Sequence, residues 1–124
     1  VAFSPLANRL LTGEFMQSKF PKGDLRARMP QFTEEAIKKN QELIELVTRI
    51  ANKHNATPAQ ISLAWMINKK PYIVPIPGSR HLNRIKDNLA AGEIKMTAEE
   101  VNEIDKLLDT IPMSDVFGGS KIKK

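Results

Sequence analysis

The sequence predicts an α/β fold in which two short strands alternate with helices in a parallel arrangement. The apolar runs at residues 1–4 and 72–74 are typical of buried strands. Each is followed by a loop and then by two helical segments, the order of parallel βα units. Two strands alone do not make a stable parallel sheet. The pattern therefore indicates part of a larger α/β architecture, which is helix-rich as an isolated chain.

Composition narrows the protein class. The chain has 124 residues, 41% of them hydrophobic, which is an ordinary composition for one globular domain. The absence of cysteine excludes disulfide scaffolds, thiolate zinc sites and cysteine nucleophiles, and it fits a reducing compartment such as the cytoplasm. No apolar run approaches the roughly 18 residues of a membrane span. We therefore expect a cytoplasmic protein with no membrane partner.

The N-terminal region is predicted to be a strand followed by a long loop. Val1 stands inside an apolar run without any lead-in, so we expect the chain to begin inside a longer protein. The first strand and its end span residues 1–6, and Pro5 stops it. Residues 7–32 contain several glycines and prolines and are predicted to be a loop. A loop of this length is uncommon unless it serves a purpose such as covering a site.

Residues 33–70 are predicted to form two helices. Thr33 caps the first, whose apolar stripe runs to about His54. Thr57, Pro58 and Gln60 form a capping box with proline at the first helical position. The helix that follows is apolar on nearly all sides over residues 61–67, which predicts a helix lying between other layers.

Residues 72–79 are predicted to be the second strand and the loop after it. Pro75 cannot donate a backbone hydrogen bond, so the end of this strand is expected to be irregular. Two further helices follow within residues 82–111, the second opened by a capping box at Thr97. The first of them has Leu82, Ile85 and Leu89 on one face. The tail at residues 112–124 is expected to be loose.

The junction after the second strand is the most informative site. Gly78, Ser79 and two arginines stand at the start of a helix, where unpaired amides and the helix dipole favour an anion. Arg80 and Arg84 share a helical face, and their guanidinium groups match phosphate oxygens in pairs. An ordinary helix start with two solvated arginines is the alternative interpretation.

The first strand also ends in a loop, and ligands gather at the carboxyl ends of parallel strands. Phe3 stands at that end and can stack on a planar ring, although packing in the core is the simpler role for a single phenylalanine.

Four segments in register resemble the aldo-keto reductase family, in its bacterial and plant branches. They cover residues 1 to about 110 in the family's order. The segments are Phe3-Ser4-Pro5-Leu6 with Leu11-Thr12-Gly13, Asp24-x-Arg26-x-x-x-Pro30-x-Phe32, Thr57-Pro58-Ala59-Gln60-x-x-Leu63-Ala64-Trp65, and Ile73 to Arg80 with Arg84 and Asn88.

The resemblance implies a (β/α)8 TIM barrel that reduces carbonyl compounds with NADPH. The chain is too short for a complete barrel, which needs about 200 residues or more. It would be the C-terminal part: residues 1–6 as the penultimate strand, 72–79 as the last strand and phosphate loop, and the added helices. Its partner would be a small-molecule carbonyl substrate.

The resemblance also implies a role for each matching residue. Phe3 would stack on the nicotinamide, and Ser4 and Leu6 would hold the pyrophosphate with help from Asn8 or Arg9. The C-terminal ligands would be Gly78 in the phosphate loop, Ser79, Arg80 and Arg84 at the 2′-phosphate, and Asn88 with Asp87 at the adenine.

The sequence departs from the family pattern at three positions. Ala7 and Arg9 stand where the family has glycine, so the first loop is expected to sit differently or to bring Arg9 to the phosphates. Asp87 is shorter than the family's usual Glu or Gln.

The family's catalytic Asp, Tyr, Lys and His lie on strands before any residue of this chain. Tyr72 stands at the wrong end of its strand, and His54 and His81 are interpreted as surface histidines. We therefore assign no catalytic residue and no metal ligand.

Two alternatives differ in class from a working reductase. A helical module of helix-turn-helix type is disfavoured because residues 61–67 offer no polar recognition face, so no nucleic-acid partner is expected. The other is an inactive truncated piece whose open sheet edges and apolar face lead it to self-associate.

Overall fold

The computed structural model describes residues 1–2, 4–12 and 20–111, with Asn8 described in its backbone only. Its long elements are four helices: α1 (Glu34–Lys53), α2 (Pro58–Lys69), α3 (Leu82–Ala90) and α4 (Ala98–Thr110). These bounds lie within one or two residues of those expected from capping signals and apolar spacing. Phe3 and residues 13–19 and 112–124 lie outside the described residues, so the predictions made for them stay predictions.

Helix α2 lies at the centre of the molecule. Ile61 and Ala64 are fully buried, and Leu63 is 1% exposed. The other three helices and the 3-10 helix at Ala7–Thr12 all pack against α2. A helix that is apolar on nearly all sides is stable in water only when it is covered on all sides, so its sequence accounts for this central position.

Two apolar clusters stabilise the packing. The larger joins α1, α2 and α4 through residues such as Val47, Ile61 and Ile104. The smaller joins Leu10 and Phe32 to the start of α1, so both ends of the long loop are tied to the helical core. Phe20 meets Phe32 edge to face, with ring centroids 5.1 Å apart.

The long loop at residues 7–32 is more structured than expected. In its described part, short 3-10 helices form at Ala7–Thr12, Leu25–Arg28 and Pro30–Phe32. Asp24 caps the second by accepting a hydrogen bond from the Arg26 amide at 2.9 Å, and Pro30 opens the third. Single turns of this kind depend on local hydrogen bonds and leave no apolar periodicity to read.

The two predicted strands are reduced to one parallel bridge between Ala2 and Pro75 in the described residues. The Ala2 amide donates to the Val74 carbonyl at 2.7 Å, and the Ile76 amide donates to the Ala2 carbonyl at 3.1 Å. The expected direction is therefore present, but in the described residues the strands expected at 1–4 and 72–74 do not extend beyond this bridge. Proline interrupts the ladder, and two segments without neighbouring strands gain too little from pairing to extend it.

The apolar face of α3 is exposed. Leu82 is 65% exposed and Leu89 is 73% exposed, and no residue of α3 is buried. Val74 and Ile76 on the preceding segment are also more than half exposed. Among the described residues, nothing covers this surface, which we call the α3 apolar face: Val74, Ile76, Leu82, Ile85 and Leu89.

A buried carboxylate links the end of α1 to the start of α4. Glu100 is 5% exposed, and its Oε1 accepts a hydrogen bond from Lys53 Nζ at 2.7 Å. Its Oε2 lies 2.9 Å from His54 Nε2 and accepts from the Thr97 amide at 3.1 Å. Burial alone would raise the pKa of Glu100, but the hydrogen bonds from Lys53, His54 and Thr97 outweigh it and lower the pKa to about 2.

We predict that this link weakens in acid. Because the folded pKa is below the ordinary value of 4.5, the stabilisation is complete above pH 4.5 and is lost as the pH falls towards 2. Glu100→Gln should lower the free energy of unfolding at pH 7 by about 2 kcal/mol and flatten its decline in acid. Urea unfolding at several pH values measures both effects.

The control is Glu35→Gln, which removes an exposed ion pair with Lys39 that solvent screens. An acid profile in Glu100→Gln as steep as that of the unaltered protein would contradict the prediction.

Candidate functional site

A cleft of about 740 Å³ lies between the first loop, the start of α2 and the segment that leads into α3. Its size falls within the roughly 300–1,000 Å³ of small-molecule sites. It brings together most of the ligands predicted from the two loops. Those lining it are Leu6, Arg9, Gly78, Ser79, Arg80, Arg84, Asp87 and Asn88.

One predicted ligand among the described residues is not a lining residue. Ser4 lies in the same loop but does not line the cleft. Phe3 and the Asn8 side chain lie outside what the structure describes, so their predicted roles stay predictions.

The start of α3 has the character of an anion site. His81 occupies the N-cap position with an extended backbone and makes no side-chain hydrogen bond to the first turn. The Ser79 hydroxyl accepts from the His81 amide at 3.2 Å, which fixes the hydroxyl at the mouth of the helix. The first-turn amides of α3 are therefore left for a ligand, and the helix dipole favours a negative one.

Positive charge reaches the cleft from two elements. Partial burial lowers the pKa of the Arg9 guanidinium, and the positive charge of Arg84 lowers it further. Arg26 acts on the pKa of Arg9 in the same direction, and Asp24 opposes it. Arg9 and Arg84 thus interact although they lie on different segments, and an anion between them would relieve their repulsion.

The start of α2 is a part of the cleft that the sequence analysis did not anticipate. Thr57, Pro58 and Ala59 line it, as do Thr12 and His81. In the sequence, Thr57 has the pattern of a helix cap and no feature of a ligand. Helix N-termini are general anion-binding positions, and the capping box at Thr57 was the signal that could have pointed to this wall.

His54 and Tyr72, two titratable residues considered above, lie away from the cleft. His54 meets Glu100 between helices, and Tyr72 is 74% exposed. In the ranges that the structure describes, no group of three or more His, Asp or Glu side chains could hold a metal ion. None of the helices in these ranges has both the length and the apolar character to span a bilayer.

Comparison with known proteins connects this cleft to one enzyme family. A profile described as the aldo/keto reductase family matches residues 1–109. The chain belongs to the aldo/keto reductase family. The match covers both loops of the cleft and all four helices up to residue 109 of α4.

Individual family members show the same relationship. The chain is 36% identical over 110 residues to aldo-keto reductase str7 of Strobilurus tenacellus, covering 88% of the chain and 33% of that protein. It is 36% identical over 130 residues to aldo-keto reductase yakc [NADP(+)] of Schizosaccharomyces pombe, covering 98% and 37%. It is 32% identical over 119 residues to probable aldo-keto reductase 1 of Glycine max, covering 96% and 34%. The chain spans about a third of the length of these relatives.

The first loop of this aldo/keto reductase chain has an unusual backbone. Ser4, Ala7 and Arg9 have φ values of 50°, 46° and 75°, in the left-handed region. Ala7 and Arg9 stand at the two positions where the family resemblance implies glycine. A side chain in this region costs roughly 1–2 kcal/mol, so the loop adopts a conformation that glycine favours without having glycine.

We predict that Gly78→Ala leaves the fold intact. A Cβ at Gly78 would meet nothing within 4 Å, so the free energy of unfolding should change by less than about 0.5 kcal/mol. Because Gly78 lines the cleft, the same variant should lower the affinity for any ligand that approaches the Gly78 backbone.

Gly23→Ala is the contrasting control. Gly23 has a φ of +91°, where an alanine is strained. Urea unfolding should therefore show that Gly23→Ala lowers the free energy of unfolding by about 1 kcal/mol or more. Equal losses in the two variants would show that Gly78 has a structural rather than a ligand-facing role.

Proposed function

We propose that this chain provides the NADP(H)-binding part of a reductase that acts on small-molecule carbonyl compounds. The observation that carries the proposal is one cleft in which Arg9, Ser79 and Arg84 meet the open N-terminus of α3. A relative that covers 98% of the chain has NADP(+) in its name, which supports this choice of cofactor.

The donor set fits the chemistry of the cofactor. NADP(H) carries a pyrophosphate and a separate 2′-phosphate, and the cleft presents arginines on two opposing elements. Guanidinium groups, a hydroxyl and helix amides are the groups that bind phosphate in proteins. The walls between them are apolar at Leu6, Pro58 and Ala59, as expected for a site that also holds planar rings.

The proposed roles are divided between the first loop and the segment that leads into α3. Ser4, Leu6 and Arg9, with Asn8, hold the pyrophosphate, and Phe3 stacks on the nicotinamide. At α3 and the segment before it, Ser79, Arg80 and Arg84 bind the 2′-phosphate next to the phosphate loop at Gly78, and Asn88 with Asp87 contacts the adenine.

When bound, the cofactor supplies a hydride to the carbonyl carbon. The residues of this chain bind and orient the cofactor, and none of them is proposed to move the proton that completes the reduction. That step is left to the family's catalytic Asp, Tyr, Lys and His, and no residue of this chain is assigned to any of these four roles. The proposed site of action is the cytoplasm. The chain would be the C-terminal part of the barrel, from the bacterial and plant branch of the family.

A second proposal concerns the chain as an isolated molecule. The α3 apolar face has Leu82 and Leu89 largely exposed, and soluble monomers rarely leave so many apolar side chains together in water. The isolated chain therefore self-associates through this face and has no activity without the remaining strands.

We predict that Arg84→Ala removes the preference for the phosphorylated cofactor. The affinity for NADPH should fall by about 10-fold to 100-fold, the effect of losing charged hydrogen bonds to phosphate, while the affinity for NADH changes less than about twofold. Fluorescence titration of the protein with each cofactor measures this difference.

Lys86→Ala is the matched control, since Lys86 is a cation on the same helix that does not line the cleft. Equal affinities for NADPH and NADH, unchanged by Arg84→Ala, would refute the assignment of the 2′-phosphate site.

We also predict that self-association depends on the α3 apolar face. Sedimentation velocity of the isolated chain should show oligomers that Leu89→Glu converts to monomers. Leu25→Glu introduces the same charge at a leucine that is 72% exposed elsewhere, and it should leave the oligomers intact. A concentrated unaltered chain that sediments as a monomer would contradict the proposal.

A further inference from the structure

Helix α3 carries three residues of the cleft but is weakly attached to the rest of the molecule. Arg84, Asp87 and Asn88 all lie on it. None of its residues is buried, and its N-cap residue makes no side-chain hydrogen bond to it. Its position in the described structure must therefore depend on the few specific contacts that reach it from other elements.

The Gln60 side chain provides such a contact and uses both ends of its amide. Its Oε1 accepts a hydrogen bond from the Thr57 amide at 2.9 Å, which completes the capping box of α2. Its Nε2 donates to the Asp87 carbonyl at 3.1 Å. Across residues 1–2, 4–12 and 20–111, this is the one hydrogen bond from a side chain of another element to α3.

The choice of glutamine over glutamate agrees with this double use. The capping box of α4 has Glu100 at the equivalent position, and Glu100 also accepts a hydrogen bond from the backbone of its cap residue. A carboxylate therefore suffices for the cap. Only the amide can also donate to the Asp87 carbonyl, because an ionised carboxylate has no proton to give.

We infer that Gln60 is a positioning residue that couples the rigid N-terminus of α2 to the cofactor-bearing helix α3. The inference rests on the proposed function, and in it Gln60 places Arg84 and Asn88 at the adenosine end of NADP(H). The residue acts through α3, and it is not one of the residues that line the cleft. A small rotation of α3 would move the adenosine ligands together and leave the pyrophosphate loop in place.

Two substitutions separate the hydrogen bond to Asp87 from the cap of α2. Gln60→Glu keeps the capping oxygen and loses the donor to Asp87, whereas Gln60→Ala loses both and adds no charge. 2′,5′-ADP probes the adenosine end of the site. Both variants should bind it about fivefold to tenfold more weakly than the unaltered protein does, which is the effect of one lost hydrogen bond. Binding of reduced nicotinamide mononucleotide, which probes the other end, should be unchanged.

Thr97→Ala is the control for a lost cap, because it removes the N-cap hydroxyl of α4, away from the cleft. It should destabilise the protein without changing the affinity for 2′,5′-ADP. Unchanged affinity in Gln60→Ala, or a loss confined to Gln60→Glu as expected for added negative charge alone, would overturn the inference.

Amide hydrogen exchange tests the positioning role without any cofactor. Residues 82–90 should exchange about fivefold to tenfold faster in both Gln60 variants, while α1 keeps its protection. Unchanged exchange in α3 would overturn the inference even if the protein binds NADPH. Faster exchange in a protein that fails to bind NADPH would support the coupling of α2 to α3 and refute the proposed function instead.

Discussion

The burial of α2 is the constraint on which the rest of the structure depends. Ile61 and Ala64 have no contact with water, so the apolar middle of this helix must be covered by other elements, and only towards its end does Ile67 reach the surface, at 37% exposed. The long α1, the short α3, the terminal α4 and the first loop each supply one part of that cover. Their mutual arrangement follows from packing on a single apolar rod. Burial of apolar surface supplies most of the free energy that stabilises this packing, while the surface ion pairs contribute little.

The cleft is a by-product of that arrangement. A buried helix still has an end, and the polar end of α2 at Thr57 emerges between the first loop and α3. The three segments cannot close over it without burying its capping groups and the arginines beside it. Space therefore remains at the place where amides and guanidinium groups converge. The same packing that excludes water from Ile61 thus leaves a positively charged cavity at the N-terminal end of α2.

The helices were predictable because their signals are local: capping boxes at Thr57 and Thr97, and apolar stripes at helical spacing. The strands were not, since a ladder needs neighbouring strands, and here Ala2 pairs only with Pro75 in the described residues. Most residues predicted to face one ligand do line one cleft. Those near α3 were predictable from a helix start that carries Gly78, Ser79 and two arginines, whereas the residues of the first loop were assigned from the family resemblance. The wall at the start of α2 went unrecognised because a capping residue and a ligand-facing residue look the same in sequence.

The two faces of α3 have a thermodynamic consequence. Arg84 lines the cleft, and Leu82 and Leu89 form an uncovered apolar surface on the same nine-residue helix. A short helix without buried residues moves as one body, so a partner that packs on one face and a ligand that binds the other share a free-energy term. Linkage then requires reciprocity: by whatever factor association changes the affinity for cofactor, the cofactor changes the affinity for association. Under the two proposals made above, oligomerisation of this chain is therefore a quantity that a dinucleotide shifts.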